Sequence, residues 1–409
     1  MDNSATYLLL NSTLTESNYD SSMGLNRLPE GNLDSLIDKS AINRVLILQW
    51  RDLDDAEAGG SEVHSHNIAE IWASKGLQIT FRTSAVKNSL KQTSRSGYTS
   101  VRSGGRYGVF LTAPIDLLTH RLGEFDALVE IWNGVPFMTP LLTKGPHMAF
   151  LHHQHGPLWN VALPRPLAGF GRFFERKIFP NFYRSTPLVT LSDSSRSELS
   201  SVLGLKKQNI HVVEPGISSS FYPSVNKSEH PLVVVAGRLS PYKQIERVIK
   251  VVNTVRSTVP DVRLEIIGEG ADERNIRSVI SSLSDNSWIS LKGRVSENEL
   301  VDTYQKAWVA TSASLSEGWG MTLTEAARCG TASIASNIPG HVDSVSEGIS
   351  GYLFDNDSEF EAHLVSILSS RNDAIALGES AHQWSSHFTW EKTATESFRV
   401  LASTKKNNV

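Results

Sequence analysis

The order of secondary structure is the feature that most constrains how this chain folds. From Asn43 onward, short apolar runs typical of buried strands alternate with helices whose apolar residues recur on one face. The predicted strands are Arg44 to Trp50, Gln78 to Arg82, Ala127 to Ile131, His147 to Leu151, Leu188 to Leu191, Leu232 to Ala236, Leu264 to Ile267, Ile289 to Leu291, Trp308 to Thr311 and Ala332 to Ala335. This alternation predicts the α/β class, with parallel sheets covered by helices on both faces.

The length of the chain predicts two such sheets. A single core stops growing at about 250 to 300 residues, and the chain has 409. Residues 215–227 are rich in serine and proline and interrupt the alternation, so we interpret them as a linker. We expect one Rossmann-like domain over residues 41–218 and a second over residues 228–380. Residues 1–40, rich in Ser, Asn, Asp and Leu without a clear period, are predicted to be a flexible leader.

The composition is ordinary for a globular protein and excludes few functions. A net charge of -4 provides no basic field, so we expect no nucleic-acid partner. The single cysteine, Cys329, excludes an intrachain disulfide and fits a reducing compartment. The first residues lack the basic region of a signal peptide, and no run approaches the ~18 apolar residues of a spanning helix. A cytoplasmic location is therefore expected.

Residues 312–330 predict a ligand-binding corner where a strand turns into a helix. Glu317 and Glu325 lie on either side of the turn, and Gly318 and Gly320 between them let the backbone approach a ligand closely. A carboxylate just before a helix N-terminus is free to accept hydrogen bonds from sugar hydroxyls, while the N–H groups of the turn favour a phosphate. A capped helix with two surface glutamates is the simpler alternative.

A second anion site is predicted at the end of the strand Leu232 to Ala236. Gly237 ends this strand, and Arg238 and Lys243 lie on either side of a Ser-Pro turn ahead of an amphipathic helix. Arginine offers a planar fork and lysine a point charge, so the two together suit the diphosphate of a nucleotide. An isolated arginine and lysine are more often solvated loop charges, and it is the glutamate corner that favours the anion site.

Taken together, these motifs resemble those of the family-4 retaining glycosyltransferases. The motifs are Gly237-Arg238 with Lys243, Gly268-Glu269-Gly270, Lys292 to Val295, Glu317 with Glu325, and Ile338 to His341. The resemblance spans roughly residues 43–395. It implies the GT-B architecture, in which two Rossmann-like, doubly wound domains face a cleft. It also implies that residues 381–409 form a tail and a helix, around Trp384 to Phe398, that crosses back to the N-terminal domain.

The resemblance implies a role for each residue of the C-terminal, nucleotide-sugar-binding half. Arg238 and Lys243 would hold the donor diphosphate. Glu325 would hold the nucleotide ribose, and Glu317 the transferred sugar. The remaining donor contacts would come from Gly237, Arg294, Gly318, Gly320, Met321 and Thr322.

The N-terminal half would form the acceptor side. Gly59 and Gly60 follow the first strand and open a helix, which resembles the glycine loop of the family. The family places a histidine beside the transferred sugar, and the candidates are His152, His153 and His155, with strand geometry favouring the first two. A metal site is an alternative, although neighbouring residues of an extended segment point to opposite sides. A structural histidine remains the alternative for each.

The implied function is retaining transfer of a hexose-type sugar from a UDP- or GDP-sugar to a lipid, glycan or small-molecule acceptor. The reaction would need no bound metal and no other cofactor. A lipid acceptor would bring peripheral association with the inner face of the membrane. Two alternatives stay open. One is a non-catalytic nucleotide-sugar-binding protein, which would be expected to lack one of the four charged residues of the donor half. The other is an epimerase or phosphorylase of GT-B-like fold.

Overall fold

The computed structural model describes residues 28–156, 159–162 and 164–405, and their strands form two sheets. The first sheet contains β1 (Arg44–Leu48), β2 (Gln78–Thr83), β3 (Gln92–Arg95), β4 (Tyr98–Arg102), β5 (Ala127–Ile131), β6 (His147–Phe150), β7 (Leu188–Thr190) and β8 (Ile210–Val212). The second contains β9 (Leu232–Ala236), β10 (Arg263–Ile267), β11 (Ile289–Gly293), β12 (Val309–Ser312), β13 (Ala332–Ser336) and β14 (Gly351–Phe354).

Helices cover both faces of each sheet. The α-helices are α1 (Leu33–Ser40), α2 (Gly60–Ser74), α3 (Gly105–Leu118), α4 (Trp159–Ala162), α5 (Arg165–Phe173), α6 (Phe179–Phe182), α7 (Asp193–Leu203), α8 (Ile245–Val255), α9 (Glu273–Ser282), α10 (Glu297–Lys306), α11 (Met321–Arg328), α12 (His341–Ser344), α13 (Asp357–Leu368), α14 (Arg371–Ser385) and α15 (Trp390–Ser403). Short 3-10 turns occupy Thr139–Leu141, Lys207–Asn209 and Pro241–Lys243, and a π-helical turn, Phe174–Ile178, joins α5 to α6.

The strand order of both sheets is doubly wound. The first sheet has the order β3-β4-β2-β1-β5-β6-β7-β8, with only β3 antiparallel to its neighbour, and the second has the order β11-β10-β9-β12-β13-β14. Ligands of such sheets bind beyond the carboxyl ends of the strands, where the strand order reverses. The reversal lies between β1 and β5 in the first sheet and between β9 and β12 in the second. The predicted α/β, GT-B architecture with two Rossmann-like sheets is confirmed.

Each predicted strand is present, and its ends shift by a few residues at most. Four strands, β3, β4, β8 and β14, are missing from the prediction. The residues of β3 are polar and at most half-buried, since this strand lies at the sheet edge and needs no continuous apolar run. The Ser96-Gly97 pair is a local sequence signal for the β3-β4 hairpin. Both residues have positive φ, as a tight hairpin turn requires.

The expectation of a flexible leader is corrected for residues 33–40, while residues 1–27 lie outside the described part of the chain. Helix α1 begins after Asn32, whose side chain accepts a hydrogen bond from the N–H of Ser35 at 3.0 Å. Leu33 and Leu36 are buried in the core of the first sheet, against α15. The apolar spacing of this short helix is hard to recognise because its partner comes from the opposite end of the chain.

The C-terminal segment crosses between the sheets as predicted, but as two helices. Helix α14 packs against α11 of the second sheet, and α15 packs against α1 and α2 of the first. Between them Thr389 caps α15 by accepting a hydrogen bond from the N–H of Lys392, so Trp384 to Phe398 is not one continuous helix. A Cβ at Gly216 would collide with the backbone of Trp390, which places the predicted linker directly against this crossing point.

The cores explain why the helices lie where they do. In the second sheet, the buried face of α8 packs with Phe360 and Leu364 of α13 against one side of the strands. Tyr304 of α10 and Ala326 of α11 pack against the other side. Among the described residues, no helix is both long enough and apolar enough to cross a membrane.

Candidate active site

The two sheets face each other across a narrow cleft, and glycines form its contact points. A Cβ on Gly318, after β12, would lie 2.8 Å from the carbonyl oxygen of His152, after β6. A Cβ on Gly60, at the start of α2, would lie 3.3 Å from the sulfur of Met321, at the start of α11. Any side chain at Gly318 would therefore force the two halves apart.

The polar N-terminus of α7 also joins the two halves. The hydroxyl of Ser195 donates a hydrogen bond to the carbonyl oxygen of Gly318 at 3.2 Å. The hydroxyl of Ser194 donates to the carboxylate of Asp343 and accepts the N–H of Gly340 at 2.8 Å. These bonds hold the turns after β12 and β13 against the first sheet.

Lys243 and Glu317 form an ion pair at the centre of the cleft. The 3-10 turn after β9 carries Lys243, and its Nζ lies 2.5 Å from Oε1 of Glu317, which follows β12. Both side chains are mostly buried. Burial opposes ionisation of Glu317, but the charge and hydrogen bond of Lys243, together with His341 and Ser314, outweigh it and lower the pKa of the carboxyl to about 2. Glu317 of the predicted corner and Lys243 of the predicted cation site thus belong to a single cluster.

Arg238, which follows β9 of the second sheet, completes this cluster on the side that faces the first sheet. A Cβ on Gly59 would collide with the guanidinium of Arg238, so this arginine occupies the space that the glycine leaves open. The Nε atom of Arg238 is buried and has no hydrogen-bond partner among the described residues. An unpaired donor of this kind is a natural contact for an anionic ligand.

The three candidate histidines lie in different surroundings. Burial lowers the pKa of His153, and the charges that act on it are those of Glu317, Lys243 and Arg238, so this ring belongs to the charged cluster. His152 turns the other way, with its ring 5.0 Å from that of His64 in the N-terminal core. His155 stacks on His153 at 5.7 Å.

The His155 backbone is held by a buried carboxylate. Glu175, in the π-helical turn, accepts hydrogen bonds from the N–H of His155 at 2.6 Å, from that of Gly156 at 3.0 Å and from the indole of Trp159 at 2.7 Å. These bonds fix the loop that follows β6. Within the described residues, no three His, Cys, Asp or Glu side chains are grouped so as to hold a metal ion.

Glu325 lies in the second turn of α11. Burial, together with the charge of Glu297, raises its pKa to about 7. The first N–H groups of α11, at Met321 and Thr322, have no partner within the helix. Gly320 begins this helix with φ of 120°, a conformation open to glycine but strained for other residues.

Arg294 lies at the rim of the cleft rather than at its centre. Its side chain is largely exposed, and its guanidinium donates a hydrogen bond to the carbonyl oxygen of Ala56 at 2.9 Å. This bond connects the strand end of β11 to the loop after β1. The predicted donor contact of Arg294 stays a prediction.

Three further residues border the cluster without having been assigned a role from sequence. His341 donates a hydrogen bond from Nδ1 to the carbonyl oxygen of Ser336 at 3.0 Å, and its buried Nε2 has no partner among the described residues. Burial lowers its pKa to about 4, although the charge of Glu317 acts in the opposite direction. The Ile338 to His341 motif was the available signal.

The other two residues come from the first sheet. Glu62 is buried and accepts a hydrogen bond from the N–H of Gly59 at 2.8 Å, in a capping box that shapes the glycine loop. Arg51 is also buried, and its Cζ lies 3.9 Å from the ring centre of Trp50. The glutamate three residues after Gly59 is recognisable in sequence as a capping box, whereas Arg51 carries no local signal.

Comparison with known proteins agrees with this geometry in both halves. Residues 219–384 match the family model of glycosyl transferases group 1, and residues 58–221 match that of glycosyltransferase family 4. The D-inositol 3-phosphate glycosyltransferase of Paenarthrobacter aurescens is 24% identical over 387 residues, which cover 85% of this chain and 94% of that protein.

Solved structures share the fold at lower identity. Sucrose-phosphate synthase from Thermosynechococcus elongatus superposes with a TM-score of 0.73 at 18% identity, covering 87% of this chain and 97% of that one. Anabaena HepE in complex with UDP and glucose superposes with a TM-score of 0.68 at 13% identity, covering 87% and 98%. Both halves of the chain, with their GT-B arrangement and shared charged cleft, therefore belong to family 4 of the retaining glycosyltransferases, which transfer a sugar from a nucleotide-sugar donor.

Proposed function

We propose that this enzyme transfers a hexose-type sugar from a UDP-sugar, with the charged cluster of the cleft as its donor site. The observation that carries the proposal is the Lys243–Glu317 ion pair, which lies beside Arg238 and His153 at the strand reversal of the second sheet. The uridine base is proposed because HepE was solved with UDP and glucose. A GDP-sugar is the competing donor.

In the proposed complex, Arg238 and Lys243 hold the diphosphate. Within the described part of the chain the buried Nε of Arg238 has no hydrogen-bond partner, and Lys243 is positioned by Glu317. The N–H groups at the start of α11 add partial positive charge beside the phosphate. Glu317 accepts hydroxyl hydrogen bonds from the sugar, and Glu325 accepts those of the ribose. The donor can approach the protein backbone closely at Gly237, Gly318 and Gly320, because these residues have no side chain.

The proposed reaction retains the configuration of the anomeric carbon. The bond from this carbon to the phosphate oxygen breaks, and the acceptor oxygen bonds to the carbon from the same face. The acceptor proton passes to the departing phosphate oxygen, so no protein base is required. The protein's contribution is to neutralise the charge that develops on the diphosphate, which preorganised cations do at little reorganisation cost. His153 contacts the sugar near the reacting carbon.

The acceptor side is proposed to be the loop after β1 together with the loops after β5 and β6. Gly59 and Gly60 bring this loop close to the donor phosphate, and Arg51 supplies a buried cation next to it. A lipid-linked, glycan or small-molecule acceptor is compatible with this arrangement. His341 is proposed as a positioning residue, since it is buried beside the cluster and its charge acts on Glu317.

The experiment is a screen of UDP-, GDP- and ADP-sugars by thermal shift and by product analysis. We expect one UDP-hexose to stabilise the wild type and to be hydrolysed slowly without an acceptor. Lys243→Ala and Arg238→Ala should each lower turnover by about 100- to 1,000-fold. Lys250→Ala is the control, because Lys250 is an exposed lysine on α8 outside the cleft.

Each other result has a distinct meaning. Stabilisation by a nucleotide sugar without any turnover, even with acceptor mixtures, would favour the non-catalytic binding alternative. Cleavage that consumes inorganic phosphate would favour a phosphorylase. Turnover that survives in Arg238→Ala and Lys243→Ala would place the donor site elsewhere.

A further inference from the structure

The exposed apolar side chains of this protein are concentrated on one face of the first sheet. Among the described residues, seventeen large apolar side chains are exposed, and ten of them lie on this face: Tyr107, Leu111, Ile115, Leu118, Leu141, Leu167, Phe170, Phe173, Phe174 and Phe182. The second sheet and its helices expose far fewer, and one of those, Leu315, borders the cleft. Scattered exposed apolar residues are normal, whereas a concentration of this size marks an interaction surface.

Both contributing helical segments carry large apolar side chains on their outward sides. On α3, Tyr107, Leu111 and Ile115 recur every fourth residue, and Leu111 is 72% exposed. The opposite side of α3 is buried through Val109 and Ala113 against the strands. An exposed stripe of helical period next to a buried one is not needed for the fold.

The second segment runs from residue 166 to residue 184, through α5, the π-helical turn and α6. Phe170 and Phe173 are 63% and 53% exposed, whereas Ala168 and Glu175 on the other side are buried. Tyr183 anchors the segment, because its hydroxyl donates to the carboxylate of Glu130 at 2.8 Å. The exposed phenylalanines therefore belong to a well-held element.

Cations surround these phenylalanines. Residues 166–184 contain Arg172, Arg176, Lys177 and Arg184, and their only acidic residue is the buried Glu175. Arg172 and Arg184 donate hydrogen bonds to the neutral side chains of Asn160 and Asn181 rather than to carboxylates. The segment is thus strongly basic in a chain whose net charge is -4.

We propose that this face, formed by α3, residues 139–141 and residues 166–184, binds an anionic lipid surface. We call it the lipid-binding face. Aromatic side chains bordered by arginine and lysine suit the boundary between acyl chains and negatively charged head groups, where basic residues add electrostatic attraction. A second copy of the chain is a poorer occupant, because a two-fold contact would bring the same cations face to face.

The lipid-binding face is close to the cleft. Glu175 projects from the same helical segment on its inner side and holds the loop of His155 and Gly156. A bilayer bound to this face would therefore lie one helix away from the loop that contacts the acceptor side. A lipid-linked acceptor follows from this position only if the proposed transferase function is correct, whereas lipid binding itself does not depend on it.

The test is co-sedimentation of the full chain with vesicles of phosphatidylcholine alone or mixed with phosphatidylglycerol. We expect binding to the anionic vesicles only, weakened by salt. Phe170→Ser with Phe174→Ser, and separately Arg176→Glu with Lys177→Glu, should each weaken partitioning by at least about tenfold. Val225→Ser with Ile349→Ser is the apolar control, and Lys250→Glu with Arg274→Glu is the charge control, since these exposed residues lie outside the face.

Three results would overturn the proposal. In the first, the folded wild-type protein does not bind anionic vesicles. In the second, both variants of the lipid-binding face bind these vesicles as the wild type does. The third is a wild type that elutes as a dimer, ignores vesicles and becomes monomeric in Phe170→Ser with Phe174→Ser, which would make the face a self-association surface. Lys243→Ala should bind vesicles normally while losing turnover, so failure of the donor site is distinguishable from failure of the lipid-binding face.

Discussion

Nζ of Lys243 lies 2.5 Å from Oε1 of Glu317, and this contact joins the ends of two neighbouring strands at the reversal point of the second sheet. The pair keeps Glu317 ionised in a mostly buried position, since burial alone would raise its pKa, and Lys243 contributes most to the lowering of that pKa to about 2. The same lysine is thereby held at the place proposed for the donor diphosphate. The stability of the fold and the proposed donor site therefore share this one contact.

Removing Lys243 should give a pH-dependent loss of stability. A carboxyl whose pKa is lowered by folding stabilises the fold above its unfolded value of 4.5, and this contribution disappears as the pH falls toward 2. Lys243→Ala should therefore lower the melting temperature at pH 7 and lower it much less at pH 3. Thermal unfolding at both pH values, with Lys250→Ala as the control, measures this. An equal loss at both pH values would contradict the prediction.

Glu325 should show the opposite dependence on pH. Its folded pKa of about 7 lies above the unfolded value of 4.5, so the folded state binds the extra proton between these values and loses stability as the pH rises through 7. We expect Glu325→Gln to stabilise the unliganded protein by about 2 kcal/mol at pH 8 and hardly at all at pH 4.5. Chemical denaturation at the two pH values tests this.

The same substitution should weaken the donor. If the ionised Glu325 accepts hydrogen bonds from the ribose, donor affinity for the wild type should rise as the pH increases through 7. Glu325→Gln should bind the donor more weakly and lose this pH dependence. Calorimetric titration measures both quantities, and an unchanged pH profile in Glu325→Gln would count against the ribose assignment.

Gly59 should tolerate no side chain. A Cβ at this position collides with the guanidinium of Arg238, so Gly59→Ala should displace the arginine and raise the KM for the donor about tenfold or more, with little change in melting temperature. Gly108→Ala is a matched control, because its Cβ meets no atom within 4 Å and it lies in helix α3. Equal kinetics in Gly59→Ala and Gly108→Ala would show that Arg238 is not held by this contact.

His152 and His153 should separate stability from activity. His153 is in the charged cluster, so we expect His153→Asn to lower turnover at least tenfold while the melting temperature stays near that of the wild type. His152 packs in the core beside His64, so His152→Ala should cost about 2 kcal/mol of unfolding free energy. Urea denaturation and steady-state kinetics of both variants distinguish the two roles.

Trp72 is expected to contribute to the stability of the contact between α2 and the crossover helix α15, and not to turnover. Its indole N–H donates a hydrogen bond to the carbonyl oxygen of Ala394 at 2.9 Å, which ties α2 to α15. Trp72→Phe leaves that buried carbonyl with one partner fewer and should cost about 1 to 3 kcal/mol. Turnover below the unfolding temperature should be unchanged. A large loss of turnover would show that the crossover helix also shapes the cleft.

The sequence by itself determined the strand-helix alternation, the two sheets and the residue types of the donor half. These features are local, because apolar period, turn residues and helix caps depend on neighbours a few positions away. Ser192 and Ser296, for example, cap their helices by accepting a hydrogen bond from the N–H of the third residue along. Glu317 and Lys243 were recognisable for the same reason, since each lies in the short turn between a predictable strand and the helix that follows it.

Only the tertiary structure decided which of these residues meet. Lys243 and Glu317 are 74 positions apart in the chain, and the pairing of β9 with β12 brings them together. The choice between His152 and His153 depends on which side of a strand end faces the second sheet. The sequence also does not show that helix α1 is docked or that the apolar stripe of α3 is exposed. Burial of both is set by partners distant in the chain. Long-range packing determines these features, and no local pattern encodes it.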